Sequence, residues 1–280
     1  MEVNIDNKVE KKRLSIITDI IIFLFLLNVF LFGFKYISSE YGISQNLALE
    51  DIEISNKNYI EAKNIKEKYG IDILYGQDSY ESSLKVSANV QEDEYIIYKN
   101  LTDITKILSK YPDSFFLNNK LTIVILKSFN NSNIALASKN KLNEFKIYIS
   151  DNKTFERSLH HEMYHVFEYK LNISRSSIFS NWNEFNPKNF SYMANTQNLD
   201  DKYIYDSSDL TDDSYFVTKY SKTSEKEDRA EIFAEIMTCK SKPDYLYEGS
   251  NIAKKANYIK EIMTVSLTKD SNSTFYWNRF

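Results

Sequence analysis

The hydrophobic pattern of the chain changes character once, near its start. Lys11-Lys12-Arg13 is followed by LSIITDIIIFLFLLNVFLFGF, residues 14–34, where apolar side chains fill nearly every position and Asp19 and Asn28 are the main interruptions. A helix over that run would be about 31 Å long, close to the hydrocarbon thickness of a bilayer, and apolar on nearly all sides, which a buried globular helix seldom is. The pattern predicts a transmembrane anchor over residues 14–37 behind a short tail, residues 1–13, with a cleaved signal peptide and secretion as the alternative. The run exceeds the usual signal-peptide core of about 7 to 15 residues, and FKYISSEYG offers no A-x-A-like cleavage site. Lys8, Lys11, Lys12 and Arg13 precede the span and Lys35 closely follows it, so the positive-inside tendency leaves the tail cytoplasmic and the chain after about residue 38 extracytoplasmic.

Past the span the pattern becomes periodic. Residues 38–70 read as a juxtamembrane helical segment: Leu47, Ile52, Ile60 and Ile65 are spread among charges over 43–69, and Gly70 supplies a left-handed stop. Residues 71–280 then read as one domain. IDILYG and LKVSANV alternate β-branched and polar residues and predict strands, and Leu101, Ile104, Ile107 and Leu108 predict a helix over 101–111 that Pro112 closes. LTIVILKSF, IALASK and FKIYIS predict three further strands, with a turn in FNNSN between the first two. In NKTFERSLHHEMYHVFEYKL the apolar Leu159, Met163, Val166 and Phe167 share one helical face, and in YSKTSEKEDRAEIFAEIMTCK so do Ile232, Phe233 and Ile236. Strands followed by helices predict an α+β fold with a helical C-terminal part.

Composition narrows the function classes. Hydrophobic residues make up 42% of the chain and charged residues 26%, ordinary values for a packed globular domain. The net charge of -4, with lysines alternating with acids after residue 40, argues against nucleic acid as a general partner, because phosphate binding needs a concentrated basic surface. Cys239, the single cysteine, cannot close an internal disulfide.

The chain has 3 histidines, and all of them, His160, His161 and His165, lie in SLHHEMYHVFEY. On a helix His161 and His165 stand one turn apart on the same side, so their imidazoles can converge on one ion. Glu162 points about 100° around the axis, which sets its carboxylate beside that ion as a general base. H-E-x-x-H is the zinc-peptidase signature. His160 points away from His161 and reads as a packing residue or a support behind the site. A tetrahedral catalytic zinc takes three protein ligands and keeps one position open; with no further histidine, the third must be a carboxylate or Cys239. Glu227, Glu231 and Glu235 repeat every four residues along one side of the following predicted helix, where they would repel one another unless a cation or an imidazole N–H engages them.

HHEMYHVFEY, WNEFNPKNFSY and YSKTSEKEDRAEIFA together resemble the zinc-binding metallopeptidases related to the protease domain of anthrax lethal factor and to secreted bacterial Pro-Pro endopeptidases. The resemblance covers roughly residues 60 to 265. It implies a zincin-like fold with a small mixed sheet, of the HExxH-plus-Glu, or gluzincin, type with one Zn2+ per chain. His161, His165 and Glu227 are the implied ligands, Glu162 the general base and Tyr220 the hydroxyl that stabilises the oxyanion. Glu231 then orients a ligand histidine, or is itself the alternative ligand, since EIFAE also matches the ligand segment. The implied partner is a peptide bound as an extended strand, and the implied activity is that of a zinc metalloendopeptidase. Joined to the N-terminal span, which departs from the secreted members, the expectation is a membrane-anchored extracytoplasmic enzyme. A membrane-tethered, zinc-containing binding or sensing module without hydrolytic activity is the alternative.

Overall fold

The computed structural model of the chain describes Val29 and residues 45–112, 115–116, 120–174, 177–193, 215–247, 249–267 and 275–279. The expected tail lies outside the described residues, as does the expected span 14–37 apart from Val29. Among the described residues no helix is long and apolar enough to cross a membrane. The chain divides into two compact units, residues 1–55 and 56–280. In the first, the described residues are Val29 and the opening turns of helix α1, Gln45–Tyr69. The second holds the rest of α1 and everything that follows.

The elements of the second unit run β1 Asp72–Leu74, α2 Tyr80–Lys85, β2 Ala88–Val90, α3 Glu94–Leu108, β3 Leu121–Phe129, β4 Ala135–Lys139, β5 Phe145–Ser150, α4 Phe155–Ser174, α5 Glu225–Thr238 and α6 Asn251–Leu267. The architecture is α+β, as the pattern predicts. The sheet has 5 strands in the order β1-β3-β5-β4, with β2 also paired to β3. Strands β1, β3 and β5 are parallel, while β2 and β4 run antiparallel to their neighbours. Strand β3 is the spine: its first residues pair with β1 and its last with β2, and β5 covers its other side in register from Leu121↔Phe145 to Leu126↔Ser150. Among the described residues strand β4 pairs with β5 alone and forms an edge of the sheet.

Local chemistry explains the boundaries. Gly70 adopts φ 69, the left-handed conformation that ends α1 at little steric cost. Helix α3 begins earlier than its apolar spacing suggests, because the Asp93 carboxylate caps it by accepting from the backbone N–H groups of Tyr95 and Ile96. It ends at Leu108, so the expected 101–111 helix is shifted toward the N-terminus. The expected strand over 84–90 is a second correction: Leu84 and Lys85 close helix α2, Ser87 turns the chain with φ 51, and Ala88–Val90 alone pair with β3. The link from β5 to α4 is short and tied, because Asn152 donates to the Ser150 carbonyl and accepts from the Thr154 N–H.

One core cluster joins α3 (Ile97, Leu101, Ile104), the sheet (Ile123, Ile125, Ile147, Ile149), α4 (Leu159, Met163, Phe167), α5 (Ile232, Phe233, Ile236) and α6 (Ile259, Met263). The apolar stripe of α4 is fully buried, and each such side chain contributes roughly 1.5–3 kcal/mol relative to exposure. Packing that stripe inward turns the histidine-bearing flank of α4 toward α5 and toward β4.

Candidate metal centre

Two helical ladders face each other. Along α4, Arg157, His161 and His165 recur every four residues; along α5, Glu227, Glu231 and Glu235 do the same. The rungs interdigitate. Glu227 Oε2 lies 3.3 Å from His165 Nε2 and 2.9 Å from His161 Nε2. Glu231 Oε1 lies 2.7 Å from His161 Nδ1, and its other oxygen accepts from Arg157 Nη2 at 2.7 Å. The Arg157 Nη1 donates to Glu235. Helix α5 is aimed by its N-cap, where the Ser224 hydroxyl accepts from the Glu227 N–H at 3.2 Å. Glu227 occupies the position from which a capping-box glutamate would reach back to the cap, yet its carboxylate reaches the histidines instead.

The Nε2 atoms of His161 and His165 are 3.1 Å apart, and these two nitrogens and a Glu227 oxygen all lie within 4.8 Å of one another. Two imidazoles and one carboxylate are the donor set of a three-ligand zinc site that keeps a fourth position open. The Nδ1 of His161 is engaged by Glu231, which leaves Nε2 for the ion. The electrostatics agree with this fit. Burial opposes a charge on His161, but the carboxylates of Glu227 and Glu231 outweigh it and push its pKa up to about 10. Burial also opposes ionisation of Glu227, yet the two histidines hold it well below the usual carboxylate range. The cluster therefore favours a positive charge at its centre.

Glu162 sits beside this cluster with 5% exposure, and its Oε2 accepts from the backbone N–H of Ala137 on β4 at 2.6 Å. Burial raises its pKa against the pull of His161 and His165. Tyr220 lies in a short turn, Tyr220–Lys222, just before the α5 cap, with its ring centroid 5.9 Å from that of His161. Burial and the neighbouring Glu227, Glu162 and Glu231 charges drive its pKa far up, so its hydroxyl stays protonated. His161, Glu162, His165, Tyr220 and Glu227 all line one cavity of about 360 Å³, together with Ala135 and Ala137 of β4.

Glu231 stands behind His161 and outside that cavity lining, and the structure groups Glu227, not Glu231, with the two histidine nitrogens. Cys239 does not join them; its Sγ donates to Glu235 Oε1 at 3.2 Å. His160 is fully buried away from the cavity, with Nδ1 2.6 Å from the Tyr111 hydroxyl. The sequence reading missed Arg157, although its place four residues before His161 was a legible signal. It also missed the Ala137 N–H, a backbone donor that no residue type reveals.

No family model matches this chain, and neither does any curated protein. Among solved structures, the fold is similar to that of a protein from Bacteroides caccae described as a "putative zinc-binding metallo-peptidase", with a TM-score of 0.48 and 16% identity over 77% of this chain and 87% of that one. At that identity and that degree of superposition, a functional reading rests on the residues of the site itself.

Proposed function

We propose that this chain is a zinc metalloendopeptidase of the HExxH-plus-Glu type, and that its second unit is a zincin-like catalytic domain. The observation that carries the proposal is the convergence of His161 Nε2, His165 Nε2 and a Glu227 oxygen within 4.8 Å, beside a buried glutamate and an open cavity. His161, His165 and Glu227 would hold one Zn2+. Bound there, zinc would polarise a peptide carbonyl and lower the pKa of a water to near neutrality. The remaining steps belong to side chains. Glu162, raised in pKa by burial and held by the Ala137 N–H, would take a proton from an attacking water and return it to the leaving amine. Tyr220, kept protonated, would donate a hydrogen bond to the oxygen that gains charge. Glu231 would fix the ring of His161 through Nδ1.

Strand β4 supports the reading of an extended peptide substrate. Among the described residues it is paired on one side only, and Ala135, Leu136 and Ala137 line the cavity, so a peptide would add along that edge beside Glu162. The apolar run 14–34, behind Lys11-Lys12-Arg13, supports a single-pass anchor over residues 14–37 with the catalytic domain extracytoplasmic. Protease added to intact cells should then degrade the domain after residue 38 and spare an N-terminal tag; protection of the whole chain would sink the topology.

The enzymatic reading is tested by Glu162→Ala. Both histidines remain, so the variant should keep its zinc while peptide turnover falls by about 10² to 10⁴. Cleavage at the wild-type rate would remove Glu162 from the chemistry. A wild-type chain that holds zinc but cleaves nothing in a peptide library would favour the binding-module alternative.

A further inference from the structure

Arg157 has no place in the H-E-x-x-H signature, yet it is the cation on which the ladder of acids is built. It lies in the first turn of α4, its side chain is 15% exposed, and it faces Glu231 and Glu235, whose side chains are 6% and 9% exposed. The planar guanidinium divides itself between them: Nη2 donates to Glu231 Oε2 and Nη1 to Glu235 Oε2. Nη2 also approaches the Glu231 backbone carbonyl at 3.4 Å, which ties the fork to the helix as well as to its side chains. One oxygen of Glu231 is thereby fixed on Arg157, and the other faces His161 Nδ1 at 2.7 Å. The acid that could compete with Glu227 for the ion is thus turned away from it.

We propose that Arg157 is a positioning residue of the metal centre, one that selects which glutamate of the ladder binds metal. It holds Glu231 as the acceptor for His161 Nδ1, so that His161 presents Nε2 and Glu227 alone among the ladder acids is left to complete the site. The inference rests on the zinc reading above. The geometry also says why lysine cannot replace it: an ammonium is a point donor, whereas the fork spans two carboxylates at fixed separation.

The test uses the full chain with three readouts: zinc affinity by chelator competition, the visible absorption spectrum of the cobalt-substituted protein, and thermal unfolding without metal. Because Arg157→Met alone would strand two buried carboxylates, the informative variants are Arg157→Lys, which keeps the charge, and Arg157→Met with Glu235→Gln, which removes one charge of each sign. Both should fold, with zinc affinity reduced roughly 10- to 100-fold in the double variant and less in Arg157→Lys. The cobalt spectrum of the double variant should also change, because Glu231 becomes free to compete with Glu227. A double variant with wild-type affinity and spectrum would overturn the proposal and reduce Arg157 to a structural ion pair. Should the double variant fail to fold, wild-type affinity and spectrum in Arg157→Lys would overturn it equally. No zinc uptake by the wild-type chain would instead remove the zinc reading, and Arg157's role with it.

Discussion

Helix α5 carries buried charge on two sides, and the two sides resolve it differently. On one, Asp228 is fully buried against the equally buried Lys255, with Nζ 2.7 Å from Oδ2, and the same oxygen accepts from Tyr192 and from the Trp182 indole. Its neighbour Arg229 is paired with the buried Glu168 and lies over the ring of Phe179. Each charge there meets an opposite charge of the protein itself. On the other side, Glu227, Glu231 and Glu235 face one guanidinium and two imidazoles, and the Glu227 end opens on the cavity. Among the described residues the carboxylates there outnumber the permanent cations, and where His161, His165 and Glu227 meet the balance is supplied by a proton on His161 or by an ion in its place. A buried charge balanced by a fixed partner holds a fold together; one balanced by an exchangeable cation at the wall of a cleft suits a metal site.

The largest way to break this comparison is on the closed side. Lys255→Met leaves Asp228 buried without its cation, and should cost about 3–5 kcal/mol. For a domain of this size that lowers the unfolding temperature by on the order of 10 °C. Added zinc should leave the size of that loss unchanged, which thermal scans with and without the metal would check. On the open side Tyr220→Phe should do the opposite: unfolding and zinc content stay as in wild type while turnover falls about 10²- to 10³-fold. An unchanged rate would take Tyr220 out of the mechanism. Smaller still, Glu231→Ala removes the acceptor behind His161 and should weaken zinc binding about 10- to 100-fold.

The smallest effect belongs to the solvent. Glu156 is half exposed and its pKa is lowered to about 2. His160, 3.9 Å away, is itself pushed down to about 4 by burial and so is uncharged near neutral pH, which leaves the Lys110 ammonium at 2.5 Å as the cation beside Glu156 there. A depressed carboxylate contributes stability above its unfolded pKa, near 4.3, and loses it as the pH falls toward 2. Screening limits that contribution to less than about 1 kcal/mol. Acid unfolding of Glu156→Gln should therefore track wild type to within that amount between pH 4.3 and 2. A larger gap would mean that this rim pair behaves like the buried ones.

Much of this division can be read in the sequence, and the parts that cannot have physical reasons. LTIVILKSF and FKIYIS match β3 and β5 residue for residue, because strands buried in mid-sheet are written as dense β-branched runs. The spacing of His161, Glu162 and His165 gives one wall of the site, since helical periodicity alone puts them together. The glutamate repeat points to the opposite wall, but choosing among its members needs three-dimensional partners: Arg157 claims Glu231 and Glu235, and Glu227 remains. LKVSANV misleads because alternation over a short run fits a helix end, a turn and a brief strand equally well. Asp228 and Lys255 form a pair across 27 residues, and nothing local to either announces the other.

The central claim is that the open side of α5 is completed by a metal ion bound at His161, His165 and Glu227. It is tested most directly by zinc content per chain, measured after exhaustive dialysis, in wild type, Glu227→Ala and Glu231→Ala. One zinc per chain in wild type, retention at reduced affinity in Glu231→Ala and loss in Glu227→Ala are the predicted results. Greater loss in Glu231→Ala than in Glu227→Ala would move the ligand to Glu231, and a wild-type chain without zinc would contradict the account.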